Sequence, residues 1–242
     1  MATFALMANT YFRFKQFTVH QDKSPLKVCT DACIQGAWSE VPASAASVLD
    51  IGTGTGLLSL MLAQRFEQPI TGIELQADAY SQTVANFEAS PWAGRLQVVH
   101  SDVNHFEASQ QYDYIITNPP FFGNDLKSAQ TGRNHAMHDT GLTLPALVQA
   151  LDRLLSANGT FSVLLPLHRM AEWERLCQAA GFFLYRKLEV KQSVRHGIFR
   201  VVSEWSRAPK ANAVTEVLSI RESDNHYSAA FIQLLQPYYL YL

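Results

Sequence analysis

The chain has 242 residues, 48% hydrophobic and 17% charged, which is typical of one globular domain with small additions. It lacks any run of about 18 nearly uninterrupted apolar residues, so we predict no transmembrane helix. The net charge of −2 is unlike the strongly basic signature of many nucleic-acid-binding proteins. Residues 1–120 carry 6 basic and 11 acidic residues, and residues 121–242 carry 13 and 10. A polyanion is therefore expected to meet the second half, or the basic-aromatic segment near the N-terminus.

Cysteine content bears on compartment and metal binding. The chain has only Cys29, Cys33 and Cys177, which argues against a disulfide framework and favours a reducing compartment. Cys29 and Cys33 are four apart, but no further Cys or His follows at ligand spacing, so we expect no metal site. The N-terminus has no basic region before its apolar stretch and no cleavage site typical of a secretory signal. We therefore expect a cytoplasmic protein that does not associate with membranes. The sequence leaves the oligomeric state open, with a monomer favoured.

The first 45 residues differ in pattern from the rest of the chain. Tyr11–Phe17 alternates aromatic and polar residues, the period of a strand, and Leu26–Val28 is its predicted hairpin partner. Thr30 or Asp31 is predicted to cap a short helix that runs through Trp38. We predict an N-terminal hairpin and helix extension, residues 1–45, packed on a core domain, residues 46–242.

Strands and helices alternate from residue 47 onward. The predicted strands cover 48–51, 69–74, 96–100, 112–117 and 161–165, and the predicted helices cover 57–66, 77–89, 144–155 and 168–180. Strand-like stretches follow at 183–190, 198–205 and 214–220; with little helix between the last two, they predict an antiparallel addition at the sheet edge. The alternation predicts a mostly parallel α/β sheet covered on both faces, with ligands beyond the carboxyl ends of its strands.

A glycine-rich turn follows the first core strand, in the segment Asp50-Ile51-Gly52-Thr53-Gly54-Thr55-Gly56. Glycines let a backbone turn tightly and approach a ligand closely. The spacing is Gly-x-Gly-x-Gly without a following Lys-Ser/Thr, which disfavours both the dinucleotide and the P-loop motif. The turn by itself is a weak indication of function.

Acidic residues end three successive strands. Glu74 can accept both ribose hydroxyls of an adenosine-type cofactor, Asp102 can meet the adenine amino group, and Asp50 can lie near a methionine ammonium group. Any one of them can also be an ordinary strand-end capping residue. Together they suit a cationic sulfonium cofactor, S-adenosylmethionine, better than a diphosphate, which they would repel.

The fourth core strand is followed by Asn118-Pro119-Pro120-Phe121, which can be a rigid turn or a catalytic one. An exocyclic amine on a planar base is a poor nucleophile, so an enzyme must accept its N–H hydrogens and place its nitrogen. The Asn118 side chain offers one carbonyl oxygen, and the Pro119 backbone offers another whose direction Pro120 limits. Phe121 can stack on the base. These four residues are the predicted catalytic set.

These residues resemble the class I methyltransferases with an Asn-Pro-Pro-aromatic motif, and more closely the bacterial tRNA1(Val) (adenine37-N6)-methyltransferase family. The resemblance includes the segments at 14–17, 27–32, 36–38, 48–56, 118–122 and 133–138. It implies a Rossmann-like seven-stranded sheet with an antiparallel edge strand and a small N-terminal extension. Two departures are Cys29 and Met137, where the family pattern has glycine and arginine.

The resemblance also implies which residues bind the cofactor, with Thr30 and Asp31 lying over it. The full predicted cofactor set is Thr30, Asp31, Asp50, Gly52, Thr53, Gly54, Gly56, Glu74, Asp102, Val103 and Asn118.

The predicted substrate is an adenine in a tRNA anticodon loop, where a base can be splayed out at modest cost. Polar and basic residues that can contact the RNA are Arg13, Lys15, Lys127, Arg133, His135, Lys191 and Arg195. Each alone can equally be a solvated surface residue. Alternative functions are rRNA guanine-N2 methylation, protein glutamine methylation, or a non-catalytic module that binds S-adenosylmethionine or RNA.

Overall fold

The computed structural model describes residues 9–120, 142–210 and 213–242. Its strands are β1 (Tyr11–Arg13), β2 (Thr18–His20), β3 (Val48–Ile51), β4 (Ile70–Glu74), β5 (Leu96–His100), β6 (Tyr112–Thr117), β7 (Leu155–Pro166), β8 (Phe183–Ser193), β9 (Ile198–Ser206) and β10 (Val214–Arg221). Its helices are α1 (Thr30–Trp38), α2 (Leu57–Ala63), α3 (Ala77–Glu88), α4 (Leu144–Leu154), α5 (Met170–Ala179) and α6 (Ala229–Leu235). No helix in these three ranges is long and apolar enough to cross a membrane.

Eight strands form one sheet in the order β10-β8-β9-β7-β6-β3-β4-β5. The five strands from β7 to β5 are parallel neighbours. Strand β9 is antiparallel to both β7 and β8, and β10 is parallel to β8. The mostly parallel α/β fold is therefore confirmed.

Two details of the sheet differ from the prediction. It has eight strands rather than seven, and its reversed strand, β9, lies third from the edge that β10 occupies. Only residues 194–197 join β8 to β9, and so short a link forces antiparallel pairing. Strand β10 begins with Val214 opposite Arg186 of β8 and runs parallel to β8.

The core lies on both faces of the sheet. Side chains of α1, α2 and α6 share one buried cluster with Val48, whereas α4 and α5 share a second cluster with Leu49 and Ile51. Successive side chains of a strand point to opposite faces, so a strand covered on both sides is apolar throughout. This explains why the central strands read as short apolar runs.

The N-terminal hairpin pairs differently from the prediction. Strand β1 pairs with β2, residues 18–20, and not with residues 26–28. The chain reverses tightly because the Phe14 N–H donates to the Phe17 carbonyl at 2.8 Å and the two rings stack with centroids 4.5 Å apart. Phe14 also forms a β-bridge with Tyr239 near the end of the chain. The domain division at residue 45 stays a prediction.

Candidate active site

The turn between β3 and α2 directs two glycines toward a cavity and a third toward α3. Gly52, Gly54 and Gly56 have φ values of 69°, 60° and 81°, a region that glycine adopts without steric cost. A Cβ at Gly52 would meet nothing within 4 Å, and one at Gly54 would meet only the Gly52 oxygen, at 3.9 Å. A Cβ at Gly56 would lie 2.6 Å from Phe87 Cε1. The first two glycines are open to a ligand, and the third permits close packing.

Asp50 is fully buried in β3 and is held by the turn and α2. Its Oδ2 accepts hydrogen bonds from Thr53 Oγ1 and Ser59 Oγ, both at 2.7 Å, and from the Ser59 N–H at 3.2 Å. Its Oδ1 is buried and has no partner among the described residues. Burial raises the pKa of Asp50 to about 6. Asp50 thus keeps one acceptor free beside Ile51 and Gly52, which line the cavity.

Glu74, at the end of β4, joins the glycine turn to the start of α3. Its Oε2 accepts the Gly54 N–H at 2.9 Å, and its Oε1 accepts the Gln76 N–H at 2.9 Å. A carboxylate oxygen has capacity for a further donor, and Glu74 lines the cavity. A carboxylate fixed in this way suits two adjacent hydroxyl groups of a ribose.

The segment after β5 forms the next part of the wall. Asp102 Oδ1 accepts hydrogen bonds from the Asn104 N–H and Nδ2, both at 2.9 Å, and Oδ2 lies 3.5 Å from His105 Nδ1. The Val103 carbonyl accepts from Arg153 Nη2 at 2.6 Å, while its side chain is buried. The wall here offers an acceptor and an apolar surface side by side.

The cavity has a volume of about 530 Å³, within the range typical of small-molecule sites. Its wall includes most of the predicted site residues, namely Gly52, Gly54, Glu74, Asp102, Val103, Asn118, Pro119 and Pro120. The predicted residues that do not line it are Thr30, Asp31, Asp50, Thr53 and Gly56. Phe121 lies outside the described residues.

Asn118 follows β6 directly and lines the cavity. Its Oδ1 is buried and has no hydrogen-bond partner among the described residues. A buried acceptor left without a donor costs about 1–3 kcal/mol, so such an atom calls for an explanation. A ligand that brings an N–H group to Oδ1 supplies one.

Gln35, which sequence reasoning missed, supports this turn from behind. It is fully buried in α1, and its Nε2 donates to the Thr117 carbonyl at 3.0 Å and lies 3.3 Å from Ser162 Oγ. Thr117 Oγ1 in turn donates to the Ile51 carbonyl at 2.9 Å. The residue immediately before Asn118 is therefore fixed through both its backbone and its side chain.

The N-terminal segment reaches the cavity with residues other than those expected. Thr30 and Asp31, predicted as helix caps, are the first two residues of α1; the capping position is Cys29, whose side chain makes no capping hydrogen bond. Cys29 has an extended backbone with φ −128°, so its conformation does not require glycine. Asp31 Oδ2 accepts a hydrogen bond from Arg200 Nε at 2.8 Å. Leu26 lies on the cavity wall instead.

The predicted RNA-contact residues that the structure describes lie on two elements. Arg13 and Lys15 belong to the hairpin region, where Lys15 Nζ donates to the Gln236 carbonyl at 2.5 Å. Lys191 and Arg195 lie at and beyond the end of β8, on the same sheet edge as the cavity, because β8 runs in the direction of β6. The remaining three, Lys127, Arg133 and His135, lie outside the described residues.

Comparison with known proteins places the chain in a family. Residues 37–140 match the model of the methyltransferase small domain. A tRNA1(Val) (adenine(37)-N6)-methyltransferase from Dyadobacter fermentans is 42% identical over 236 residues, which cover 96% of this chain and 98% of that protein. A protein of the same name from Cytophaga hutchinsonii is 37% identical over 238 residues, covering 98% and 100%. The chain belongs to this family.

The fold of the chain agrees with its membership of the tRNA1(Val) (adenine(37)-N6)-methyltransferase family. A crystal structure from Agrobacterium tumefaciens, described as a "predicted O-methyltransferase", matches with a TM-score of 0.68 and 16% identity, covering 86% of this chain and 96% of that one. At that identity the match establishes the fold alone. The mostly parallel sheet with helices on both faces is thus a fold that this chain shares with a solved methyltransferase-like structure.

The cofactor of this class is S-adenosylmethionine, and the wall of the cavity fits it. The described wall residues include the carboxylates Glu74 and Asp102 and no Lys or Arg. The buried Asp50 directly precedes the wall residue Ile51 and interacts electrostatically with Glu74. Negative charge at low dielectric favours a cation and disfavours a diphosphate. Apolar side chains, including Leu75 and Val103, complete a surface suited to the face of an adenine ring.

Proposed function

We propose that this protein transfers a methyl group from S-adenosylmethionine to the N6 amine of an adenine in tRNA, at position 37 beside the anticodon of tRNA1(Val). The observation that carries the proposal is the buried Asn118 Oδ1, which has no hydrogen-bond partner within the described part of the chain and lies on the wall of an acidic cavity. The family relatives, which match over nearly the whole chain, bear the name of this reaction.

In the proposed mechanism, the chain acts by placement. S-adenosylmethionine supplies an electrophilic methyl group on a sulfonium centre. Glu74 and Asp102 hold the ribose and the adenine of the cofactor, with Asp50 near its ammonium group. Asn118 Oδ1 and the Pro119 carbonyl accept the two N–H hydrogens of the target amine.

The target nitrogen is then aligned with the methyl group, and alignment of this kind supplies much of the rate. The N–C bond would form as the S–C bond breaks, so that S-adenosylhomocysteine leaves as a neutral thioether. No strong base is needed, since the amine becomes acidic once it is methylated and can release its proton to water. We further propose that Pro120 limits the direction of the Pro119 carbonyl and that Phe121 stacks on the target base.

Replacement of Asn118 tests the acceptor role. Asn118→Ala should lower kcat/KM by about 100-fold, as loss of one preorganised hydrogen-bonding group does at other sites, while the Kd for S-adenosylmethionine stays near that of the wild type. Asn118→Asp keeps acceptor oxygens and should retain more activity than Asn118→Ala. Asn158→Ala, at an exposed position of β7, is the matched control. Wild-type activity in Asn118→Ala would contradict the mechanism.

Two other reactions on planar amino groups are the guanine-N2 methylation of rRNA and the methylation of protein glutamine. The full-length match to relatives favours adenine, because it includes the N-terminal segment outside the common core. Unmodified tRNA transcripts incubated with labelled cofactor should yield N6-methyladenosine, mapped by nucleoside mass spectrometry to position 37. Label in N2-methylguanosine would favour the rRNA reaction, and label in protein would favour the glutamine reaction. Failure to bind the cofactor would favour a non-catalytic RNA-binding module.

We also propose that the tRNA is contacted by Arg13, Lys15, Lys127, Arg133, His135, Lys191 and Arg195. The exposed side chains of Arg13 and Arg195 support this assignment. A tRNA substrate and free thiols at Cys29, Cys33 and Cys177 support a cytoplasmic location. The proposed enzyme acts as a monomer without a metal, with residues 1–45 as an extension of a methyltransferase domain at 46–242.

A further inference from the structure

Residues 24–30, here called the strap, run between two points fixed to the body of the protein. On one side, the Lys23 N–H donates to Gln82 Oε1 of α3 at 3.0 Å. On the other side, Arg200 Nε of β9 donates to Asp31 Oδ2 at 2.8 Å, and the two side chains form an ion pair. The strap therefore crosses from the helix that follows β4 to a strand on the far side of β6.

The reach of the strap agrees with this path. From β4 to β9 there are four strand spacings, through β3, β6 and β7, or roughly 19 Å at about 4.8 Å each. Seven extended residues span roughly 23–25 Å. The carboxyl end of β6, which carries Asn118, lies between the two fixed points. Ser24, Pro25 and Leu26 line the cavity, so the first part of the strap forms one of its walls.

The strap is preformed by hydrogen bonds among its own residues and to the preceding Gln21. The buried Gln21 accepts the Val28 N–H at its Oε1 at 2.8 Å. Ser24 Oγ, also buried, donates to the Leu26 carbonyl at 3.0 Å. Lys27 Nζ donates to the carbonyls of Gln21 and Ser24. A backbone held in this way loses little conformational entropy when a ligand arrives.

Leu26 is the unusual member of the strap. It is 55% exposed although it lines a cavity, and its backbone is fixed on both sides. Leu75, on the wall beside Glu74, is likewise 49% exposed. A rigid apolar side chain facing a cavity gains stability when a ligand removes it from water.

We propose that Leu26 is a contact residue for the adenosine part of S-adenosylmethionine and that the Asp31–Arg200 ion pair positions it through the strap. The assignment to adenosine follows from location: Gln82, to which the strap is tied, lies one helical turn beyond Ala79, which lines the Glu74 side of the cavity. An aromatic base uses apolar contact, whereas the charged methionine end needs polar partners. The inference rests on the proposed cofactor.

The test measures cofactor affinity by calorimetry without RNA, so it does not depend on which nucleoside is methylated. Leu26→Ala should raise the Kd about tenfold (about 1.4 kcal/mol) for both S-adenosylmethionine and S-adenosylhomocysteine, because the two share adenosine. Leu26→Met conserves volume and should stay within about threefold of the wild type. Leu167→Ala, at an exposed leucine that does not line the cavity, is the matched control and should leave both constants unchanged.

The ion pair is tested by a double-mutant cycle. Arg200→Gln should raise both Kd values by about threefold or more, and adding it to Leu26→Ala should produce no comparable further rise, since both changes remove the same contact. Fully additive effects would overturn the role of Arg200 in positioning Leu26. A thermal midpoint close to that of the wild type in each variant shows that the fold is intact.

The outcomes separate this inference from the proposed function. If the wild type binds neither ligand, the proposed cofactor is wrong and the inference is wrong with it. If the wild type binds both and Leu26→Ala binds them equally well, the Leu26 contact alone is overturned. If Leu26→Ala lowers the affinity for S-adenosylmethionine but not for S-adenosylhomocysteine, the assignment of the contact to adenosine is overturned.

Discussion

Two glycines of the turn between β3 and α2 serve different purposes: Gly56 permits close packing, and Gly54 leaves room for a ligand. Gly54 and Gly56 both have positive φ, but only Gly54 lines the cavity. A Cβ at Gly56 would lie 2.6 Å from Cε1 and 3.2 Å from Cδ1 of Phe87, and 3.3 Å from Thr83 Cγ2. We therefore expect Gly56→Ala to affect the stability of the fold and Gly54→Ala to affect chiefly the cofactor site.

The expected difference in unfolding free energy follows from these contacts. An alanine held at positive φ costs roughly 1–2 kcal/mol at either position. Overpacking against Phe87 adds about 1–3 kcal/mol at Gly56 alone. The reduced freedom of the unfolded chain on replacing glycine is common to both variants and cancels in the comparison. Gly56→Ala should thus be less stable than Gly54→Ala by about 1–3 kcal/mol.

Urea unfolding followed by tryptophan fluorescence measures the two free energies. The thermal midpoint of Gly56→Ala should fall below that of Gly54→Ala by roughly 2–4 °C for each kcal/mol of difference. Combining Gly56→Ala with Phe87→Leu, which removes the ring, should recover part of the packing loss while leaving the φ strain. Gly54→Ala should show the larger rise in the Kd for S-adenosylmethionine. Equal stability of the two alanine variants would refute the reasoning.

Two further predictions concern buried carboxylates. Burial raises the pKa of Asp50 to about 6, and a cationic ligand favours the ionised carboxylate. The Kd for S-adenosylmethionine should therefore rise as pH falls below 6, by at most about tenfold per pH unit. Calorimetry from pH 5 to 8 should show this rise, and Asp50→Asn should make the Kd nearly independent of pH. Burial also raises the pKa of Glu204, whose carboxylate accepts a hydrogen bond from Arg186 Nη1 at 3.2 Å. The folded state therefore binds a proton at Glu204 more tightly than the unfolded chain does, and the contribution of Glu204 to stability increases as pH falls. Arg186→Leu should therefore cost about 3 kcal/mol in chemical denaturation at pH 8 and clearly less at pH 5, and an equal cost at both would contradict an ionised Glu204.

The central fold was predictable because its determinants are local. Buried parallel strands appear as short apolar runs, and an acid at the end of a run, such as Glu74, marks the carboxyl edge where ligands bind. The glycine turn and Asn118 occupy that same edge. Their convergence on one cavity follows from parallel pairing alone.

The remaining features depend on contacts between distant residues. Residues 26–28 have the apolar pattern of a strand, but Gln21 and Ser24 hold this segment as a loop whose Leu26 faces the cavity. Gln35 is a single amide among buried residues of α1, and only the assembled sheet reveals its bond to the Thr117 carbonyl. The position of β9 between β7 and β8 depends on which strands pair with each other in the sheet, and the hydrophobic periodicity of a strand does not specify its pairing partners.

The two ends of the chain hold each other in place, and this affects the order in which the protein can be assembled during synthesis. Arg200 lies 169 residues after Asp31, and the Lys15 N–H donates to the Tyr238 carbonyl. Translation releases Gly52, Glu74 and Asn118 long before either of these later partners leaves the ribosome. A nascent chain of 190 residues thus contains every described residue that lines the cavity, but it lacks the arginine that anchors the strap. Completion of the cofactor site is therefore expected to be a late event in biogenesis, when β9 joins the sheet.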